Sequence, residues 1–309
     1  MTEKFRAVSV QVPATTANLG PGFDTLGLAL SLYDEIQVFP TDDGKYSAEI
    51  TGSGAGEVET DENNLVIKSI LYVFEKVGVK APGLRLVANN RIPHGRGLGS
   101  SGAAIVSGVV AARGILSGIT EISDEQLLGY ATELEGHPDN IAPALFGGLT
   151  IAWVTDNGPK FKKLLPHRLI TPIVLVPEQT MSTKLARSLQ PESVPHQDAI
   201  FNVSRSVLLM AALVQSPELL LEGTEDKLHQ NYRASAMPET SELIKQLREQ
   251  GFAAVVSGAG PSVLVLCSDP SERVAVQDFV QNFGDRSWKA LMLTVDIQGA
   301  TLELLDQAT

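Results

Sequence analysis

The ten residues Pro93-His94-Gly95-Arg96-Gly97-Leu98-Gly99-Ser100-Ser101-Gly102 constrain this chain more than any other stretch. Glycine loses more conformational freedom on folding than any other residue, so so dense a cluster needs a reason. Glycines let successive backbone N–H groups point into one concavity with no Cβ in the way. The residues that follow, Ala103 to Leu116, have helical composition. The loop therefore opens onto a helix N-terminus, where N–H groups are unpaired and the helix dipole is positive. Together these make a polyphosphate cradle. Ser100 and Ser101 add hydroxyl contacts, or one is simply the N-cap. The plain alternative is a solvated surface loop capped by a serine. Gly97-x-Gly99-x-x-Gly102 also matches the dinucleotide fingerprint in form. That fingerprint follows a strand directly and meets an acidic residue at the end of the next strand, about 20 residues on. Here Ile92 to Arg96 intervene, and Glu121 precedes a helix. The P-loop pattern requires a lysine that is absent.

Periodicity predicts a strand at Val8 to Val12 ending at Pro13, a turn at Asn18 to Gly22 and a long strand at Leu26 to Phe39. A helix is predicted at Leu65 to Val77 and a strand at Leu84 to Ala88. Ser123 to Glu135 reads as a helix with a capping box, Ser123 and Gln126, and Gly148 to Val154 as a strand. The polar stretch Thr155 to Pro166 places a domain boundary, giving one domain over 1–160 and a second over 161–309. The second half is predicted to contain a strand at Ile173 to Val176 and helices at Ser182 to Leu189, Asp198 to Val214 and Thr240 to Gln250. Paired strands follow at Ala253 to Val256 and Ser262 to Cys267 around a Ser257 to Pro261 loop. A helix (Ser271 to Asn282) and a last strand (Leu291 to Val295) complete it. Helices mixed with hairpin-connected strands give an α+β class.

The net charge of −12 disfavours a nucleic-acid partner. No apolar stretch of membrane-spanning length is read in the sequence. Met1 to Arg6 run directly into a strand pattern, so no signal peptide is expected. Cys267 is the only cysteine. It falls in an apolar strand and is assigned to packing, and a reducing cytoplasm is the expected setting.

The glycine loop resembles the phosphate-binding motif of the GHMP kinases, the galactose, homoserine, mevalonate and phosphomevalonate kinases. Pro13-Ala14-Thr15-Thr16-Ala17-Asn18-Leu19-Gly20-Pro21-Gly22-Phe23-Asp24 resembles the family's first motif in its homoserine kinase form. Ser257-Gly258-Ala259-Gly260-Pro261-Ser262 resembles the third motif. Glu135-Gly136-His137-Pro138-Asp139-Asn140-Ile141-Ala142-Pro143-Ala144 resembles a segment specific to homoserine kinases. The resemblance implies a two-domain α+β fold, with a ribosomal-S5-like N-terminal domain and a ferredoxin-like C-terminal one. It implies ATP and Mg²⁺, L-homoserine as the small-molecule substrate, a step toward threonine, and a homodimer. Other GHMP kinases, such as a mevalonate type, and a non-catalytic ligand sensor of the same fold are the alternatives.

Residue by residue, the resemblance puts Asn18 and Asp24 on the substrate's amino end, and Arg187 and Arg233 on its carboxylate. His137, Asn140 and Thr183 become further substrate contacts. Without the resemblance, each arginine would read as a solvated helix residue and Asp24 as a turn acid. Asn64, Pro93 to Ala103, Gly258 and Gly260 are implied for ATP. Ser100 and Glu135 are implied for Mg²⁺, with Glu133 as the alternative glutamate. Several GHMP kinases have an aspartate where this chain has Asn140. An asparagine cannot take a proton, so the resemblance implies transfer by positioning and electrostatics, with no side-chain base.

Overall fold

The computed structural model describes residues 5–284 and 288–306. Residues 1–4, on which the expected lack of a signal peptide partly rests, lie outside them. The first half runs β1 (Val8–Asn18), β2 (Gly22–Thr41), β3 (Tyr46–Gly52), α1 (Leu65–Lys76), β4 (Gly83–Asn90), α2 (Ser100–Ile115), α3 (Asp124–Glu135), α4 (Ile141–Phe146), β5 (Leu149–Thr155) and β6 (Gly158–Leu164). The second continues with β7 (Thr171–Val176), α5 (Thr183–Ser188), α6 (His196–Val214), α7 (Leu220–Gly223), α8 (Gln230–Arg233) and α9 (Pro238–Glu249). It closes with β8 (Ala253–Val256), β9 (Val263–Cys267), α10 (Pro270–Gln281), β10 (Lys289–Met292) and β11 (Thr301–Leu304).

Two sheets result. The seven-stranded sheet orders β11-β1-β2-β4-β3, with β5 and β6 branching from the first part of β2. The four-stranded sheet orders β10-β7-β9-β8. Helix α2 is apolar nearly all round, as a helix buried on all sides must be. It packs on β1, α1, α3 and α4 inside the main core. The face of the second sheet carrying Ile173, Leu175, Val263 and Val265 packs with Leu243 and Leu247 of α9 and Val276 and Val280 of α10. Val174, Val176, Leu264 and Leu266 on the other face join the main core with Leu209 and Leu213 of α6. The two halves therefore share one continuous core.

Several expectations shift. The first strand does not end at Pro13. It runs to Asn18, and the register with β2 slips between Pro13 and Ala14. A bulge is where a sheet accommodates a residue with no N–H. The expected boundary at 160/161 falls inside β6, which pairs with β5 from Gly158 to Leu164. The polar stretch there is an edge strand, and Lys160, Lys162 and Lys163 are the kind of residues that protect an edge. The last predicted strand shifts to Lys289–Met292, and Val295 makes only an isolated bridge to Leu30. The chain then returns to the first sheet, where β11 pairs with β1. Among the described residues one helix, α6, is long and apolar enough by length and composition to cross a bilayer, which the sequence reading did not register. Its inner face, with Asn202, Leu209, Ala212 and Leu213, is buried in protein.

Candidate active site

Three chain reversals converge where the halves meet. After β1 the backbone turns through Asn18, Leu19 and Gly20, all with positive φ, and Asp24 is also left-handed at φ 53°. Such a conformation is uncommon outside glycine and asparagine, and here it is held by hydrogen bonds. The Asn18 Oδ1 accepts from the Asp24 N–H at 3.0 Å, and its Nδ2 donates to the Gly258 carbonyl at 2.8 Å. The glycine loop enters α2 through Gly99, which occupies the N-cap at φ 70° with no side-chain cap. Neither serine caps the helix. The loop between β8 and β9 lies against it: Ser257 Oγ donates to the Gly97 carbonyl at 2.6 Å and lies 2.9 Å from Thr16 Oγ1.

These segments line a cavity of about 230 Å³. Asn18, Asp24, Gly95, Arg96, Gly97, Gly99, Ser100 and Ser101 line it from the first half, with Glu135, His137 and Asn140. Thr183, Arg187, Arg233, Gly258 and Gly260 line it from the second. A neighbouring cavity of about 210 Å³ shares Ser100 and Ser101 with the first. Its walls are mostly apolar, with Ile36, Ile50, Val58 and Ala104, and a few polar groups: Asp34, Asn64, Asn90 and His94. A polar cavity with glycine N–H groups beside an apolar slot suits a nucleoside polyphosphate.

Not every expected residue reaches a cavity. Leu98 and Ala103 are core, and Pro93 and Gly102 lie outside both linings. Asn64 reaches the apolar cavity but also caps α1, accepting from the Val66 and Ile67 N–H groups. Arg96 lines the polar cavity, yet its guanidinium donates to the Pro177, His94 and Glu178 carbonyls at 2.8–3.0 Å. It therefore clamps the glycine loop to the segment after β7.

The choice between the glutamates is a matter of helix phase. Glu133 faces α1, where it binds Tyr72 and Lys76 on the surface. Glu135, about 200° further round the helix, faces the cavity and accepts from Ser101 Oγ at 2.9 Å. The hydroxyl that meets it is that of Ser101, while Ser100, the serine expected for Mg²⁺, lines both cavities. Burial pushes the Glu135 carboxyl up, against the Ser101 hydrogen bond. A carboxylate and a hydroxyl beside a phosphate cradle form an oxygen donor set of the kind Mg²⁺ uses when phosphates supply further ligands.

In the same cavity, Arg187 and Asp24 form a two-pronged ion pair at 3.0 and 3.1 Å. Arg233 is 2% exposed, lies over the Phe23 ring and donates from Nη1 to the Gly258 carbonyl at 3.3 Å. Its Nε has no partner, and burial lowers its pKa.

Three contributors were missed in the sequence. Asp139, 2% exposed, bonds His137 Nδ1 and the Asn140 N–H. Burial opposes the charge on His137, but Asp139 outweighs it and raises the histidine's pKa. Thr15 donates from Oγ1 to Asn140 Oδ1 at 2.8 Å, while its N–H binds the Leu98 carbonyl. Asp34 sits in the apolar cavity, where burial pushes its carboxyl up to about 6 although it accepts the Arg91 and Ile92 N–H groups. An acid in phase with Ile36 and Val38 on the inward face of a strand was its one sequence signal.

The family description "GHMP kinases N terminal domain" matches residues 64–148, and "GHMP kinases C terminal" matches 209–286. The chain is 65% identical to a homoserine kinase of Leifsonia xyli subsp. xyli, over 96% of this chain and 92% of that one. It is 64% identical to a homoserine kinase of Clavibacter michiganensis subsp. michiganensis, over 98% and 96%. The crystal structure of a homoserine kinase from Cytophaga hutchinsonii superposes with a TM-score of 0.83 at 28% identity, covering 98% of this chain and 99% of that one.

Proposed function

The chain belongs to the homoserine kinases of the GHMP kinase family, and from that premise we propose that it transfers the γ-phosphoryl group of ATP to the hydroxyl of L-homoserine. The products are ADP and O-phospho-L-homoserine, on the way to threonine. The observation that carries this reading is one cavity lined by two chemically different sets of groups. One set is the glycine loop with Glu135. The other is Asp24 with Asn18, and Arg187 with Arg233. An anion and two cations fit the ammonium and carboxylate of an α-amino acid, leaving its side-chain hydroxyl toward the loop. The apolar cavity takes the adenine, with Asn64 and His94 at its rim.

In this reading Glu135, the first of the two glutamates expected, holds Mg²⁺ together with Ser101, in place of Ser100. When bound, the cation neutralises phosphate charge. The remaining groups position and polarise. Asn140 Oδ1 is occupied by the Thr15 hydroxyl, so the amide NH₂ is the group left to donate into the cavity. His137, whose pKa Asp139 raises against the effect of burial, is a second group that can donate there. Asp139 is itself engaged by His137 and the Asn140 N–H. The hydroxyl proton then leaves late, as a loose transition state allows. A reducing cytoplasm suits a chain whose one cysteine, Cys267, is buried with its thiol pushed up to about 12 by burial.

ADP release measured over a panel of alcohols tests the substrate. Robust turnover is expected with L-homoserine and Mg²⁺, and little with mevalonate or galactose. Equal turnover of mevalonate would defeat the assignment.

Thr15→Val tests the amide orientation. It removes the hydroxyl at nearly constant volume and frees Asn140 to rotate. A drop in kcat of about tenfold is expected, near 1.4 kcal/mol, with little change in KM for homoserine and recovery in Thr15→Ser. An unchanged kcat would mean that Asn140 needs no such support.

A further inference from the structure

The ladder between β2 and β4 ends at the pair Glu35 and Asn89. Beyond it the chain leaves the sheet toward the glycine loop, and the Arg91 and Ile92 N–H groups have no strand to bind. Asp34, one residue before that pair on β2, takes both. Its Oδ1 accepts from Arg91 at 2.6 Å and from Ile92 at 2.8 Å. Among the described residues nothing donates to its Oδ2. Asp34 is 5% exposed, and the surface it keeps opens on the apolar cavity beside the glycine loop. It is the one acid among the described residues that line that cavity.

Holding two N–H groups does not require an acid. The amide oxygen of an asparagine accepts two hydrogen bonds and brings no charge. A carboxylate among Ile36, Ile50 and Ala104 is costly, which is why burial pushes it up to about 6. What the acid has beyond an amide is its second oxygen, an acceptor where asparagine would carry an NH₂. Other polar walls of the cavity are committed. Asn64 accepts from the Val66 and Ile67 N–H groups and donates to the Glu59 carbonyl, and Asn90 donates to the Ser53 carbonyl. The free acceptor is also single. A guanine presents two N–H groups side by side, which suit both oxygens of a carboxylate. Here the backbone fills Oδ1, so one donor can be met. Adenine offers such a donor in its exocyclic amino group, where an oxo purine carries a carbonyl oxygen.

We propose that Asp34 selects the nucleobase: its Oδ2 accepts from the exocyclic amino group of adenine and repels the carbonyl oxygen of an oxo purine. The inference rests on the reading that the apolar cavity takes the base. One oxygen of Asp34 then aims the chain into the glycine loop while the other reads the nucleotide.

Calorimetry of the full chain with MgATP and with magnesium inosine triphosphate tests this, at mildly alkaline pH where the Asp34 carboxyl is ionised. The two nucleotides share ribose and phosphates and differ only in the base. The unmodified protein is expected to bind ATP tighter by about tenfold or more, the range of a hydrogen bond to a charged group. Asp34→Asn keeps an oxygen for Arg91 and Ile92 and turns an NH₂ to the cavity. It should weaken ATP, tighten inosine triphosphate and erase or reverse the preference. A role in shape alone would move both affinities together and keep their ratio. Ala104→Leu, which fills the cavity from α2, should weaken both nucleotides. The proposal is overturned if the unmodified protein binds the two alike, or if a folded Asp34→Asn chain keeps the preference for ATP. Unchanged affinities in Ala104→Leu would put the base elsewhere and overturn it too. No acceptor alcohol is present in these titrations, so a failure to phosphorylate homoserine beside an intact nucleotide preference counts against the acceptor assignment alone.

Discussion

Gly99→Val is expected to abolish ATP binding in a chain that still folds, whereas Gly97→Val should also loosen the junction between the halves. Both glycines sit near φ 70°, where a β-branched residue is strained by about 1–2 kcal/mol before any contact is counted. Their surroundings differ. A Cβ on Gly99 would lie 2.0 Å from Thr15 Oγ1 and 3.1 Å from Asn140 Oδ1, side chains that can move at the cost of the site they form. A Cβ on Gly97 would lie 2.1 Å from the Ser257 carbonyl oxygen and 2.9 Å from the Gly260 nitrogen. Those are backbone atoms of the loop that joins the second half to the first, and they cannot swing aside. Gly95 supplies the control. Its added Cβ meets nothing closer than Thr180 at 3.4 Å, an ordinary contact. Gly95→Ala should therefore keep ATP affinity within about tenfold, the strain alone. Gly99→Val should lose roughly a hundredfold or more, about 2.7 kcal/mol. Calorimetry with MgATP, run beside thermal melts, separates binding from folding. Unchanged affinity in a folded Gly99→Val chain would remove the loop from the nucleotide site.

The glycine loop could be read in the sequence because its physics is local: φ, N–H direction and a helix start are properties of neighbouring residues. The glutamate was also readable, though it was left open between two positions. Leu127, Leu128, Ala131 and Thr132 are the buried positions of α3. Continuing that stripe by three or four residues reaches Glu135 and puts Glu133 on another face, where it meets Lys76. Helical phase alone puts Glu135, and not Glu133, at the cavity. Thr15 and Asp139 carried no such signal. A threonine late in a strand and an aspartate after a proline gain meaning only from partners, and for Thr15 the partner is 125 residues away. The return of β11 to β1 was hidden for the same reason. Four residues of modest hydrophobicity become a strand when an edge nearly three hundred residues earlier is open to them. Strand β6 was hidden by its lysines, which read as a linker and act as protection for an exposed edge.

Arg233→Ala is expected to lower kcat/KM for homoserine by roughly a hundredfold, and Arg187→Ala by roughly tenfold. These are the upper and lower ends of what a charge-assisted hydrogen bond contributes, about 1.5–3 kcal/mol. The order follows from how each guanidinium is held. Arg187 is half exposed to water and already gripped by Asp24 through two bonds. A carboxylate gained there competes with both. Arg233 is buried, its Nε has no partner, and its single hydrogen bond, to the Gly258 carbonyl, is long. A substrate carboxylate would meet a cation that has lost its hydration and received little in exchange, which is where an ion contact is strongest. The Asp24 pairing adds a second expectation. An α-amino acid offers an ammonium to Asp24 and a carboxylate to Arg187, so it can satisfy both members of the pair at once. Asp24→Ala and Arg187→Ala should therefore be non-additive in a double-mutant cycle, because each single change leaves the other charge unbalanced. Arg233→Lys should recover little, since an ammonium cannot present the planar fork from the same buried stem. Steady-state kinetics with each substrate varied in turn decides the matter. The loss must fall on homoserine while KM for ATP stays within a few-fold, if the arginines grip the substrate carboxylate and not the phosphates. A homoserine KM that does not move in Arg233→Ala, or an ATP KM that rises in its place, would put the substrate carboxylate somewhere else.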